Sequence, residues 1–494
     1  MVLVKENIQF IDKDTSMLQF EVDLHEKGTE LNHYWKQCVG SGHAALALRE
    51  DWRRQLKYCH DKLGFEYIRF HGLFNDDMST YVRENNEDVF SFYNIDSIFD
   101  YLLNIGMRPF VELSFMPRDL ASGEDTVFHY RGNITPPHDY KKWGDLIRAL
   151  IAHLISRYSI DEVRHWYFEV WNEPNLKQFW SGTQEDYFKL YATTARTIKD
   201  INPDIKVGGP ASARNQWITE FVQFCQNNDV PCDFVSTHHY PTDVALGHHL
   251  DMEEKMAQSK RGIVTEMAKQ ARLEAGESQL FYTEWNNSPS CRDAYHDDPY
   301  AAAFAVKAIA DNMGIVDMYS FWTFSDIFEE EPFPSLPFHG GFGLLNIHGI
   351  PKPTFHAFSL LNQLGNERLN ISRDQDSTVD AIASRNRDDE VIILFSNHNI
   401  PRAPIKNEKI KLTFNTESGL TDAYIIRIDE NNANAKRVWK TMGAQEYLEN
   451  KSVADIIKRS ALSETKIQMA NQGTISIMEF DIPPHGIVFL KIHK

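Results

Sequence analysis

HWYFEVWNEPNL, residues His165–Leu176, reads as a strand that runs straight into a turn. His165 to Trp171 are mostly β-formers, and Asn172-Glu173-Pro174-Asn175 stops them. Pro174 has no N–H to give a ladder and biases Glu173 away from helix, so the strand ends here. A carboxylate and an amide are left at a strand mouth between Trp171 and Trp180. Alone, this would equally describe a polar turn after a buried strand. LFYTEWNNS, Leu280–Ser288, repeats the pattern, with apolar β-formers running into Glu284 and then Trp285, Asn286 and Asn287.

Outward from these two stretches, short β runs alternate with amphipathic helices from Tyr34 onward. YWKQCVG (34–40) precedes a helix with Leu48, Trp52, Leu56, Cys59 and Leu63 on one face, closed by Gly64. EYIRF (66–70), a helix over 95–105 ended by Gly106, and MRPFVEL (107–113) follow. Trp143, Leu146, Ile147, Leu150, Ile151, Leu154 and Ile155 stripe a long helix before RHWYFEVW (164–171). The second half continues with helices over 184–200 and 215–228 around KVGG (206–209), then CDFVSTHHY (232–240). A helical segment over 251–274, LFYTE (280–284), a helix over 300–313, VDMYSFWTF (316–324) and a helix over 353–364 complete the series. Eight β runs with helices between them close either as a (β/α)8 barrel or as an open doubly wound sheet. No Gly-rich GxGxxG follows an early strand, and the count of eight favours the TIM barrel.

Beyond 366 the texture becomes all-β. VDAIASRN and EVIILFSN, joined by Arg387-Asp388-Asp389, read as a hairpin; AYIIRI, TISIMEF and GIVFLKIH continue it, with one helical stretch over 444–460. The expected division is a barrel over 26–365 and a β-sandwich over 366–494. Residues 1–25 contain Leu18, Phe20, Val22 and Leu24 in strict alternation, a strand expected to pack with the sandwich.

Composition fits this division. The chain of 494 residues exceeds one ordinary core, and 42% hydrophobic with 24% charged residues is globular. A net charge of −19 without a basic cluster argues against nucleic acid or an anionic membrane as partner. No apolar run is long enough to span a bilayer. The five cysteines, Cys38, Cys59, Cys225, Cys232 and Cys291, show no paired CxxC spacing. They speak against a disulfide framework and a zinc site, and fit a reducing compartment. MVLVKENIQFIDKD lacks the apolar core of a signal peptide, so a cytoplasmic location is expected.

Barrel active groups sit at the C-terminal ends of strands. Glu173 follows the fourth β run and Glu284 the seventh. His71, Asp76 and Asp77 follow the second, His238, His239 and Tyr240 the sixth, Trp322 and Asp326 the eighth. Two carboxylates facing each other among aromatic platforms suit glycoside hydrolysis, and a separation of about 5–5.5 Å implies retention. The acid must stay protonated near neutral pH, through burial or a like-charged neighbour. Trp52, Trp143 and Trp217 lie on helical faces and read as core, and His248-His249 as loop. With no HExxH or comparable pair, neither a metal nor a cofactor is expected.

The chain resembles the glycoside hydrolase family 39 β-xylosidases of the large clan of (β/α)8 retaining hydrolases. YIRFHGLFNDDM, RPFVELSFMP, LASGEDTVFHYRGNITPPHDY, FEVWNEPNLKQFW, KVGGPA, FYTEWNNSPS, FWTFSDIFEE and FHGGFGLLN carry the resemblance nearly end to end. Asn-Glu-Pro is shared across the clan, whereas the long LASG…TPP and FWTFSD…FHGGFGL segments are more specific to the family. The resemblance implies Glu173 as acid/base, Glu284 as nucleophile, and Asn172 as the group binding the sugar 2-hydroxyl. It implies His71, His238, Tyr240 and Trp322 around the terminal sugar, with Tyr240 hydrogen-bonded to the nucleophile. Glu329 and Glu330 match an acidic pair holding ring hydroxyls, and Phe115 and Phe338 match pocket walls.

Three departures bear on substrate preference: Trp285 where the family tends to Tyr, Thr237-His238-His239-Tyr240 for Arg-His-Ala-Tyr, and GSGH (40–43) for Gly-Thr-Gly-Arg. The implied activity is exo-cleavage of xylose from short xylo-oligosaccharides, and the implied assembly is a tetramer. Iduronides, glucosides and arabinosides are the alternative substrates. A uronate would need a cation where FSDIFEEEPF (324–333) is acidic. A non-catalytic sugar-binding barrel would have lost a carboxylate, and an unsecreted endo-xylanase would not meet its polymer.

Overall fold

The computed structural model describes residues 17–246, 250–417, 419–420 and 422–493. The expectations for residues 1–16 and for His248-His249 lie outside them. Eight parallel strands close into a barrel. They are β1 (Cys38–His43), β2 (Tyr67–His71), β3 (Arg108–Leu113), β4 (Tyr167–Val170), β5 (Lys206–Ser212), β6 (Phe234–His239), β7 (Gln279–Trp285) and β8 (Met318–Phe321). Among the described residues no helix is long and apolar enough to cross a membrane.

Strand side chains alternate, so inward residues stack in layers two positions apart. The lowest layer is apolar: Cys38, Phe110, Phe234, Phe281 and Met318, with Tyr67 and Tyr167 against them. Phe234 and Phe281 stack at 4.9 Å between ring centroids, and Tyr167 meets Phe281 edge-on at 5.3 Å. Two residues further along the strands the layer turns polar, with Arg69, Glu112, Glu169, Ser236, Thr283 and Ser320 all buried. The next layer opens at the mouth with His71, Ser114 and His238. Gly40 on β1 leaves the room that Trp322 takes, since a Cβ there would sit 2.3 Å from its ring.

The helices bury the stripes that the sequence marks. Glu50–Leu63 covers Trp52, Gln55, Leu56, Cys59 and Leu63, then ends at Gly64, whose φ of 74° lets its N–H close on His60 O. Four elements depart from expectation. Tyr34–Lys36 is a 3-10 turn, with the Tyr34 hydroxyl donating to Ile309 O, and β1 begins only at Cys38. The segment over 251–274 divides into Met252–Ala257 and Ile263–Ala275, and Arg261 between them donates from Nε to His398 O. The stretch near 444–460 is preceded by a second helix, giving Ala435–Thr441 and Asn450–Arg459 with Gly443 at φ 94° between them. Trp217 opens Ile218–Asn227 in a left-handed conformation and is only half-buried, whereas Trp52 and Trp143 are fully buried.

Apart from two two-stranded hairpins, Tyr81–Glu84 with Glu87–Phe90 and Thr126–Val127 with Gly132–Asn133, the remaining strands among the described residues form sheets of five and seven. Leu18–Asp23 lies in the first, antiparallel to Ile371–Arg373 and parallel to Glu408–Asn415. Leu18, Phe20 and Val22 point into a core shared with Val391, Ile393 and Phe395 of the second sheet. Val391–Asn397 is buried on both faces. Its odd positions fill the sandwich, while Ile392 and Leu394 join the core beneath the barrel helices, where Ser396 donates to Ala303 O. Phe395 meets Phe20 at 5.2 Å and Phe480 at 5.3 Å between ring centroids. Phe395→Ala is therefore expected to cost about 3–5 kcal/mol, read as a lower urea midpoint for the β domain at unchanged slope.

Candidate active site

Arg69, on β2, is fully buried one layer below the barrel mouth. Its Nε donates to Glu169 Oε2 at 2.5 Å, Nη1 to Glu284 Oε1 at 2.8 Å and Nη2 to Asn172 Oδ1 at 3.0 Å. Nη2 also lies 2.8 Å from Glu112 Oε2. Buried charges need partners, and here one planar fork serves three carboxylates from β3, β4 and β7. Because the guanidinium only donates, Asn172 must turn Oδ1 to it, which leaves the amide N–H groups for the pocket. Glu284 accepts on its other oxygen from the Tyr240 hydroxyl at 3.2 Å.

Glu284 owes its aim to a local irregularity. β7 slips register against β6 at Thr237/His238 and against β8 between Tyr282 and Trp285. Bulges re-aim side chains, and here both Thr283 and Glu284 reach inward, Thr283 to Glu169 and Glu284 to Arg69. Glu173 comes from the turn after β4, where Trp171 and Glu173 hold φ of 74° and 45° and Glu173 N bonds Ala211 O at 2.8 Å. This left-handed backbone lies at the pocket itself. Burial pushes the Glu173 carboxyl up to about 7, with His71 and Arg69 pulling the other way. His238 Nδ1 lies 2.9 Å from Glu173 Oε1, and burial draws this imidazole down to about 4.

Ligating atoms of Glu173, His238 and Glu284 all fall within 4.8 Å of one another. Among the described residues this is the one grouping spaced for a cation. Arg69 already supplies a positive charge against Glu284, which opposes a second one. Glu173 and Glu284 line a cavity of about 450 Å³ with His71, Asn172, Tyr240, Trp322 and Glu330. His71 binds Glu112 Oε2 at 2.7 Å and stands 3.5 Å from Glu330 Oε1. Burial, then the neighbouring Glu284 and Glu173 charges, push the Glu330 carboxyl well above its ordinary range.

Four expected site residues stand back from this lining: His238, whose ring nitrogens face Glu173 and Thr283, and three more. Glu329 pairs with Arg49 at 3.7 Å and His43 at 3.8 Å, so only Glu330 of the acidic pair reaches the cavity. Phe115 is buried behind Phe128 and against Trp171. Phe338 packs on Trp439 and Ile456 of the C-terminal helices. Phe128, Phe179 and Phe342 supply the aromatic lining instead. The loop bearing Phe342 is pinned by buried Lys352, 2.7 Å from both Asp297 and Asp326, which in turn accept from Gly340 N and Gly343 N.

Two of the departures from the family pattern meet away from the cavity. Trp285 stacks on Tyr319 at 4.0 Å, and the hydroxyl of the same tyrosine lies 2.7 Å from His239 Nε2. Arg69, Glu112, Glu169 and Thr283 were missed by sequence reasoning. The signal for the first three was a charge in the middle of an apolar β run, in YIRFH, PFVEL and FEVW.

Comparison with known proteins agrees with this geometry. The model of glycosyl hydrolases family 39 matches residues 18–476. A β-xylosidase of Caldicellulosiruptor saccharolyticus is 52% identical over 485 residues, covering 96% of this chain and 98% of the relative. A β-xylosidase of Geobacillus stearothermophilus is 39% identical over 460 residues, covering 90% and 89%. The crystal structure of a monomeric β-xylosidase from Caulobacter crescentus CB15 superposes with TM-score 0.84 at 31% identity, covering 96% of this chain and 99% of that one.

The hub makes a stability prediction. Arg69→Met leaves Glu112 and Glu169 buried without their counter-charge, and breaking such a cluster costs about 3–5 kcal/mol. The expected result is a correspondingly lower denaturation midpoint.

Proposed function

The chain belongs to the family 39 glycosyl hydrolases, and from that premise we propose that it is a retaining, exo-acting β-xylosidase. What carries the reading is the pair Glu173 and Glu284, with oxygens within 4.8 Å across one pocket and unlike surroundings. That approach is compatible with direct attack by one carboxylate, whereas inversion needs about 6.5–9.5 Å for a water. Glu284, fixed by Arg69 and Tyr240, attacks the anomeric carbon and forms the glycosyl-enzyme. Glu173 protonates the leaving oxygen, then takes a proton from the water that hydrolyses the intermediate. Asn172 offers its amide to the sugar 2-hydroxyl. His71, Tyr240, Trp322 and Glu330 surround the terminal sugar, with His238, Glu329, Phe115 and Phe338 behind them.

Xylose fits this site better than a uronate. Arg69 is committed to three carboxylates, and the described residues lining the cavity include no lysine or arginine to pair with a uronate. The family relatives named β-xylosidase support the same sugar. The enzyme would act on short imported xylo-oligosaccharides in the cytoplasm, a placement supported by five cysteines all free of disulfides. Initial rates on nitrophenyl glycosides of xylose, glucose, arabinose and iduronate test the substrate, and faster turnover of any but the xyloside would overturn it.

Two predictions address the glutamates. The acid works only while protonated, so kcat/KM should fall as pH rises through about 7, the value to which burial lifts Glu173. Glu284→Gln should abolish turnover on every xyloside. Glu173→Ala should lose about 10²–10⁴-fold on a natural xyloside, and less in the first step for a dinitrophenyl leaving group. Azide should restore turnover of Glu173→Ala with β-xylosyl azide as product. An α-azide, or equal loss on all leaving groups without rescue, would reverse the assignment.

A further inference from the structure

We propose that Thr283 and Glu169 hold the proton of Glu173 by fixing which nitrogen of His238 carries hydrogen, a role that rests on Glu173 being the acid/base. Glu169 is buried on β4, and its Oε2 accepts from Arg69 Nε at 2.5 Å. Its Oε1 lies 2.8 Å from Thr283 Oγ1. A carboxylate only accepts, so the single hydroxyl hydrogen of Thr283 points to Glu169. The Thr283 oxygen is then left to accept, and its other neighbour is His238 Nε2 at 3.0 Å. Nε2 therefore carries hydrogen.

The other ring nitrogen follows. With Nε2 protonated, a neutral imidazole presents a bare lone pair at Nδ1, 2.9 Å from Glu173 Oε1. A lone pair and a carboxylate repel, so the contact is a hydrogen bond when Glu173 is the donor. Hydrogen on Nδ1 as well would require an imidazolium. Beyond Glu173 itself, Glu284, with Oε2 at 3.7 Å, and Glu169 favour one, and complete burial opposes it. Other charged or titratable groups around the pair are Arg69, Arg214, His71, Glu112 and Asp243. From Glu173 through His238 and Thr283 each group thus donates to the next, and the chain ends on Glu169, which also accepts from the permanent cation Arg69.

Thr283 and Glu169 touch neither substrate nor reacting atoms in this scheme; they are positioning residues. When Glu173 gives its proton to the leaving oxygen, the new carboxylate faces the Nδ1 lone pair. That repulsion is relieved when Glu173 regains a proton from the attacking water, so the same geometry serves both half-reactions. Without the Thr283 hydroxyl, a neutral His238 moves its hydrogen from Nε2 to Nδ1 with no change of charge. It then donates to the Glu173 carboxylate and stabilises the wrong state of the acid.

The experiment is the pH profile of kcat/KM for nitrophenyl xyloside in wild type, Thr283→Val, Thr283→Ser and Glu173→Ala. Valine keeps the shape and removes the hydroxyl; its alkaline limb should move to lower pH by about one unit, as expected for a hydrogen bond transferred to the ionised form. At pH above the limb this appears as about a tenfold loss, borne by kcat rather than KM. Serine should keep the wild-type limb. If valine prevents folding by circular dichroism, Thr283→Ala carries the same expectation. An alkaline limb unmoved in the hydroxyl-less variant, whatever its rate, overturns the relay. Should that same limb persist in Glu173→Ala, it never belonged to Glu173, and the acid assignment fails with it. A limb lost in Glu173→Ala yet unmoved in Thr283→Val sinks the relay alone.

Discussion

A guanidinium with no access to solvent, facing three carboxylates, is the constraint on which the rest of this molecule depends. Arg69 is tolerated one layer below the barrel mouth because Glu112, Glu169 and Glu284 surround it, and they are tolerated because it is there. Each comes from a different strand, so the cluster has one geometry only when the barrel is closed in register. Below it, the layer of Cys38, Phe110, Phe234, Phe281 and Met318 shuts the barrel floor and excludes water. That exclusion strengthens the ion pairs and brings the proposed catalytic pair against fixed dipoles rather than solvent.

The two glutamates are made unequal by their surroundings. Glu284 receives two donors, Arg69 and Tyr240. Glu173 meets a buried imidazole and a backbone held in the left-handed region, with burial lifting its carboxyl to about 7. Environments that push two titratable groups apart are what assign acid and partner in a pair of like residues. The pocket wall opposite is braced from two directions, by Lys352 between Asp297 and Asp326 and by Phe338 on Trp439 of the C-terminal helices. The C-terminal β domain therefore reaches into the support of the site, as well as covering the barrel helices.

Much of this was legible in the chain. Eight β runs separated by striped helices closed as a barrel, and the runs ending in Glu173, Tyr240, Glu284 and Trp322 converge on one cavity. What periodicity could not show falls into two kinds. The bulge in β7, which turns Thr283 and Glu284 inward in succession, breaks the two-residue rule used to read a strand. The distinction between lining and support likewise escaped: Phe115, Glu329 and Phe338 sit near the cavity in sequence but one layer behind it in space. The stretch over 251–274, read as one helical segment, is two helices, and the helix Ala435–Thr441 that precedes the expected 444–460 stretch was missed.

The central claim is that Glu284 forms the covalent bond and Glu173 does not. Incubation with a 2-deoxy-2-fluoroxyloside bearing a good leaving group, followed by peptide mass mapping, tests it most directly. The account predicts one fluoroxylosyl group per chain, located on Glu284 in the peptide containing FYTEW. A label on Glu173 or elsewhere, or hydrolysis of xylosides by an enzyme that this reagent never labels, would contradict it.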